Sequence, residues 1–257
     1  MTYGVAIHVG QGLVYCSDSR TNAGIDNIST YSKMHSFTWP GSRVFTILSS
    51  GNLATTQTVI KRLNQDVQQG ISPNLLTVAT LQDAADYLGA VNTHVQKAQI
   101  QRDTQNTNFE ASFILGGQIG QAAPEIYMIY PQGNYIHESG DHPFLQIGEI
   151  KYGKPILDRV IRPDTDINLA ARCALVSMNS TCRSNLTVGP PIDLLIYAKD
   201  SLGAGRHLHM AEDDPLAHQI SELWNQALMR GLEELPRFPW EQDLPPAQVV
   251  SFPPPGG

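Results

Sequence analysis

The order in which two hydrophobic periods follow one another along the chain is its strongest constraint on a fold. Residues 5–9 and 13–18 alternate as strands, and Gly10-Gln11-Gly12 between them reads as a tight turn, making a hairpin. Ser32-Lys33-Met34 opens another extended stretch, and residues 44–48 form a short apolar strand running into Ser49-Ser50-Gly51-Asn52. Two helical patterns come next. Residues 57–69 carry Val59, Ile60, Leu63 and Val67, and residues 83–102 carry Ala84, Tyr87, Leu88, Val91, Val95 and Ala98, all at helical spacing. Strand-like runs return at 111–115, 125–130 and 134–137. Helices are expected at 154–160 and 167–178, a strand at 192–197, and a last amphipathic helix at 214–230. Strands, two helices, strands and helices again predict an α+β domain with two stacked, mainly antiparallel sheets flanked by helices, in αββα layering.

The hairpin has a chemical consequence. It folds the chain back so that Asp18 returns to the level of Thr2, and the extended stretch at Lys33 brings a third strand end to the same edge. Thr2 alone reads as an ordinary residue of a frayed terminus. With Asp18 and Lys33 beside it, a threonine exposed by removal of Met1 can serve as both nucleophile and base. Its hydroxyl attacks and its α-amine takes the proton. An α-amine titrates near about 7.7–8.0, so much of it is neutral close to pH 7. A neighbouring Lys33 ammonium depresses that value, and Asp18 holds the lysine charged and oriented. Gly51 lets a backbone N–H approach a developing oxyanion near a helix N-terminus.

The pattern from Thr2-Tyr3 through Gly12-Leu-Val-Tyr-Cys-Ser-Asp-Ser-Arg-Thr21, Ser32-Lys33-Met34 and Ser49-Ser-Gly51 resembles proteasome β-type subunits of the N-terminal-nucleophile (Ntn) hydrolases. The run from Phe113 to Gly133 is similar to the paired strands that follow the central helices of that fold. The wording Ser17-Asp-Ser-Arg-Thr-Asn-Ala-Gly24, Ser29-Thr-Tyr-Ser-Lys-Met34 and Arg183-Ser-Asn-Leu-Thr-Val-Gly-Pro-Pro-Ile-Asp-Leu-Leu-Ile-Tyr197 resembles the bacterial branch called Anbu. The resemblance implies the αββα Ntn sandwich over 2–235, with a proline-rich tail at 236–257. It implies Thr2, Asp18 and Lys33 as catalytic residues, Gly51 as oxyanion donor, Arg20 in support, and neither cofactor nor metal. The implied partners are copies of the same chain in a ring or open spiral, peptide or unfolded-protein substrates, and amide-ligase enzymes. A scaffold that has lost strong proteolysis, and an acyl transferase that forms amides, compete with the hydrolase on the same residues.

The chain departs from the β-subunit pattern in two places. Where a serine is expected in a Gly-Ser-Gly segment it reads Ile147-Gly148-Glu149-Ile150-Lys151. Where a later aspartate is expected, residues 178–185 contain none, and Asn179 or Ser180 is the expected substitute.

Other features point to bland roles. His207-Leu-His209 and the His137-Glu138, Asp141-His142 cluster lack a clear third and fourth metal ligand and read as surface or packing. Cys16 sits mid-strand and reads as core. Gly116-Gly117 and Gly120 read as a turn. A net charge of −7 argues against nucleic acid. No run approaches the ~18 apolar residues of a membrane helix, and no signal peptide is expected. Three cysteines without a C-x-x-C pair fit a reducing compartment, so a cytoplasmic protein is expected.

Overall fold

The computed structural model of the chain describes residues 1–22 and 28–243. Gly24 and the tail residues 244–257 named above lie outside the described residues. Chain contacts separate a unit Met1–Ser221 from a unit Glu222–Gly257.

The first unit is built on two five-stranded antiparallel sheets. One has the order β10 (Phe144–Gly148), β1 (Tyr3–Val9), β2 (Gly12–Asp18), β11 (Ile192–Ala198), β12 (Arg206–Met210). The other runs β5 (Met34–Trp39), β6 (Arg43–Gly51), β7 (Ala111–Ile119), β8 (Glu125–Ile129), β9 (Tyr135–His137). Period-two alternation decides which side chain enters which layer. Val5, Ile7 and Val9 of β1 pack with Leu157 of α3 (Lys154–Val160) and Ala170, Ala174 and Met178 of α4 (Ile167–Ser184). Ala6, Leu13, Tyr15, Leu48 and Ile114 fill the space between the sheets. Phe45, Ile47 and Phe113 pack against Val59 and Leu63 of α1 (Leu53–Gln69) and Leu88 of α2 (Leu81–Ile100). The result is the predicted α+β arrangement of two antiparallel sheets between helical layers. The central strands are covered on both faces, which is why β1 and β2 are buried along almost their whole length.

Local chemistry sets the helix ends. Asn52 caps α1 by accepting from the Thr55 N–H, and Gly70 closes it in the left-handed region. Thr80 and Asp83 form a reciprocal capping box on α2. The Asn52 cap starts α1 at Leu53, four residues before the first residue of the periodic stretch.

The structure changes several expectations of the sequence reading: Gly116 and Gly117, read as a turn, lie inside β7 and pair with Thr46 and Phe45 of β6. The segment after Asp18, for which no strand is expected, contains β3 (Arg20–Asn22), paired with β4 (Ile28–Thr30). Ile147-Gly148, for which no element is expected, ends β10, which pairs with β1 so that Gly148 faces Tyr3. The helix expected to end at 178 continues to Ser184, because Ser177 and Thr181 are buried against the sheet and sustain another turn and a half.

α5 (Pro215–Glu233) crosses from the first unit into the second and contains no buried residue. The second unit also holds a short 3-10 helix, Pro239–Asp243, with Phe238 stacked on Trp240. No helix of the described residues is long and apolar enough to cross a membrane.

Candidate active site

Thr2, Asp18 and Lys33 meet where β1, β2 and the start of β5 converge, and all three are buried. Lys33 Nζ lies 3.0 and 2.9 Å from the two Asp18 carboxylate oxygens and donates to the carbonyls of Arg20 (2.6 Å) and Met1 (3.3 Å). Asp18 also accepts the backbone N–H groups of Tyr3 (3.0 Å) and Gly189 (3.4 Å). Burial pushes the Asp18 carboxyl up and the Lys33 ammonium down, and their mutual attraction opposes both shifts. Two backbone N–H groups and the Lys33 ammonium donate to Asp18, and two backbone carbonyls accept from Lys33; these contacts favour the charged forms against the burial.

The main chain at Thr2 is fixed by its partner strand. The Glu149 N–H donates to the Thr2 carbonyl at 2.8 Å. Gly148 makes this approach possible: its φ is +80°, and a Cβ there would collide with that same carbonyl. The α-amine at Met1 is held below its ordinary range, first by burial and then by Lys33, with Asp18 and Glu149 opposing. A threonine amine freed by loss of Met1 stands one residue further in, among the same three charges. Gly51, at the end of β6 with φ +110°, opens onto the cleft that Thr2 lines.

Arg20 meets this corner through its main chain. Its backbone carbonyl takes the Lys33 proton donor, while its guanidinium reaches the Leu186 carbonyl (3.1 Å) and Glu212 (3.6 Å). Asn179 and Ser180 lie within α4 and, among the described residues, make no hydrogen bond to Thr2, Asp18 or Lys33. Asn179 lines a separate cavity with Met178, Cys182 and Met210. The side chain that does reach the Thr2 strand pair is Asn185, the C-cap of α4, which donates to Glu149 Oε2 at 2.9 Å. Lys151 flanks the other Glu149 oxygen at 3.5 Å. The Glu149–Asn185 link joins residues far apart in sequence, and only the presence of Glu149 in place of serine hinted at it.

The remaining candidates take ordinary partners. Burial pushes the Cys16 thiol well up and that of Cys182 to about 12, so neither is a thiolate near neutral pH. His207 and His209 both bind Asp193 Oδ1, at 3.0 and 2.8 Å. His137 Nδ1 lies 2.6 Å from the Glu138 carbonyl. Among the described residues no group of three or more His, Cys, Asp or Glu is arranged to hold a metal.

Neither family models nor curated proteins match the chain. Solved structures do. Anbu (ancestral beta-subunit) from Yersinia bercovieri superposes with a TM-score of 0.86 at 44% identity, over 92% of this chain and 98% of its own. The chain belongs to the Anbu family. The Anbu complex of Pseudomonas aeruginosa, described as a helical assembly, gives a TM-score of 0.88 at 46% identity over 93% and 98% of the two chains. An Anbu (Gly-1) mutant from Hyphomicrobium sp. strain MC1 gives 0.86 at 42%, over 93% and 99%. Anbu membership accounts for the proteasome-β-like architecture, with its two antiparallel sheets between helices.

Proposed function

We propose that the chain is an N-terminal threonine hydrolase of peptide or isopeptide amides, working as one subunit of a homo-oligomeric ring or open spiral. The observation that carries this reading is the buried Lys33–Asp18 pair beside Thr2, at the mouth of a cleft. A buried ion pair is a poor source of stability compared with apolar packing, so its presence at one strand edge points to chemistry.

In this reading Met1 is removed and the Thr2 α-amine becomes the base. The Thr2 Oγ attacks the amide carbon while the amine takes its proton, and the Gly51 N–H holds the oxyanion. The C–N bond breaks, the ammonium returns its proton to the leaving amine, and an ester on Thr2 remains. Water, activated by the same amine, hydrolyses the ester and restores the threonine. Lys33 keeps the amine from being over-protonated, Asp18 anchors Lys33, and Glu149, held by Asn185, limits how far the amine's affinity for protons falls. No cofactor enters these steps, and a cytoplasmic setting suits them. The helical assembly of the Pseudomonas aeruginosa relative supports self-association. Enclosure in such an assembly restricts substrates to peptides and unfolded chains.

A second reading has one observation in its favour. The Met1 carbonyl accepts from Lys33, so a chain that keeps Met1 is accommodated without disrupting the pair. Such a subunit is a scaffold. Capture of the ester by an amine in place of water gives amide formation, for which amide-ligase enzymes are the natural partners. Processed wild type and Thr2→Ala, assayed on unfolded protein with and without added amines, separate these readings. Hydrolysis lost in Thr2→Ala supports the proposal, and hydrolysis that survives it overturns it.

A further inference from the structure

The cleft beside Thr2 has a volume of about 710 Å³, large enough for a substrate side chain, and polar groups border it alongside a larger apolar surface. His35 of β5 borders it, and among the described residues the His35 ring makes no hydrogen bond. Thr21 borders it too, and its buried Oγ1 has no hydrogen-bond partner among the described residues. Gln57 and Thr56 of α1 and Leu53 complete that side. No carboxylate lines the cleft among the described residues, and its one side-chain cation, Lys33, is already committed to Asp18.

These observations discriminate between side chains. A basic side chain finds no counter-charge and meets Lys33. A carboxylate is desolvated without a free cation to receive it. An apolar side chain fills the space but dries the His35 ring without pairing it and leaves Thr21 Oγ1 as unpaired as before, so it gains nothing from either group. A carboxamide offers one acceptor and two donors, which match an imidazole and a hydroxyl. Burial lowers the His35 pKa, with Asp193 opposing, so the ring is a neutral donor and acceptor near pH 7.

We infer that His35, with Thr21, is the selectivity element of this cleft and reads a neutral hydrogen-bonding side chain, glutamine or asparagine, beside the amide that Thr2 attacks. This inference rests on the hydrolase reading for the position of the scissile bond, but the selectivity can be measured without turnover.

Four peptides differing only in Gln, Leu, Glu or Lys on the acyl side of one amide provide the test. With the processed protein, kcat/KM for the Gln peptide exceeds that for Leu by roughly tenfold, the scale of one satisfied hydrogen-bonding pair. In His35→Leu the order of Gln and Leu reverses. Thr21→Val narrows the gap, and His35→Gln preserves it. The same peptides are then bound to Thr2→Ala and to Thr2→Ala/His35→Leu and read by fluorescence anisotropy. Absence of cleavage with the Gln preference retained in binding rejects the hydrolase reading and leaves the pocket assignment standing. Equal or absent binding of all four peptides, or a preference that His35→Leu and Thr21→Val both leave unchanged, overturns the assignment.

Discussion

Replacing Asp18 by Asn tests the physical basis of the site most sharply. Asp18 is fully buried and Lys33 is 6% exposed, so neither charge is screened by solvent. In Asp18→Asn the single amide oxygen can accept from the Tyr3 or the Gly189 N–H but not from both, and the Lys33 ammonium loses its counter-charge while keeping the Arg20 and Met1 carbonyls. Breaking a buried pair by removing one partner costs about 3–5 kcal/mol, because the other charge is left uncompensated. For a domain of this size roughly 2–4 °C is lost per kcal/mol, so Tm falls by about 10 °C. Lys33→Met in the same background removes the stranded charge and restores most of the loss, giving a favourable coupling of at least about 2 kcal/mol in the double-mutant cycle. Calorimetry or urea unfolding at one fixed protein concentration, with the oligomeric state checked, reads all four corners. Asp18→Asn within about 0.5 kcal/mol of wild type, or a double variant as unstable as the sum of the singles, would refute a charged buried pair.

Three further outcomes follow from the same geometry. Glu149→Gln removes a charge that raises the pKa of the α-amine, so the acidic limb of the kcat/KM–pH profile moves to lower pH; an unmoved limb contradicts the role given to Glu149. Gly148→Ala places a Cβ against the Thr2 carbonyl at φ +80°, costing about 1–3 kcal/mol in chemical unfolding and slowing turnover, whereas Gly41→Ala, in open space at φ +72°, loses stability but keeps activity. The His35 pKa is depressed, so its stabilisation is fully present above its ordinary value of 6.5 and is lost as pH falls below that value towards the folded-state pKa. His35→Gln therefore flattens the stability–pH curve of that window, and a curve identical to wild type refutes the shift.

How far the residues foretold this arrangement depends on whether each signal was local. The β1–β2 hairpin was legible because alternation and Gly10-Gln11-Gly12 act within a few residues, and its register places Gly4 opposite Ser17, next to Asp18. The second helix was legible from its apolar spacing, and the Thr80–Asp83 box marks its true start. β10 was missed because Phe144–Gly148 is short, contains Gln146 and ends in glycine; pairing with β1 holds it in place. The end of α4 was missed because Asn179, Ser180 and Thr181 are weak helix formers, and burial of Thr181 outweighs that preference. That error displaced the expected support to Asn179 and Ser180, while the structure brings Asn185 to Glu149 across 36 residues. The shared partner of His207 and His209, Asp193, lies 14 and 16 residues away on the neighbouring strand, so no local signal pairs it with the two rings.

The central claim is that Thr2, freed of Met1, is the nucleophile. Intact-mass analysis of the purified oligomer, before and after reaction with an electrophilic peptide probe, followed by peptide mapping, tests it in one measurement. The expected result is a chain lacking Met1 that gains one probe adduct, mapped to Thr2 and absent in Lys33→Ala. A chain that retains Met1 throughout, or an adduct mapped to Cys182 or any other side chain, contradicts it.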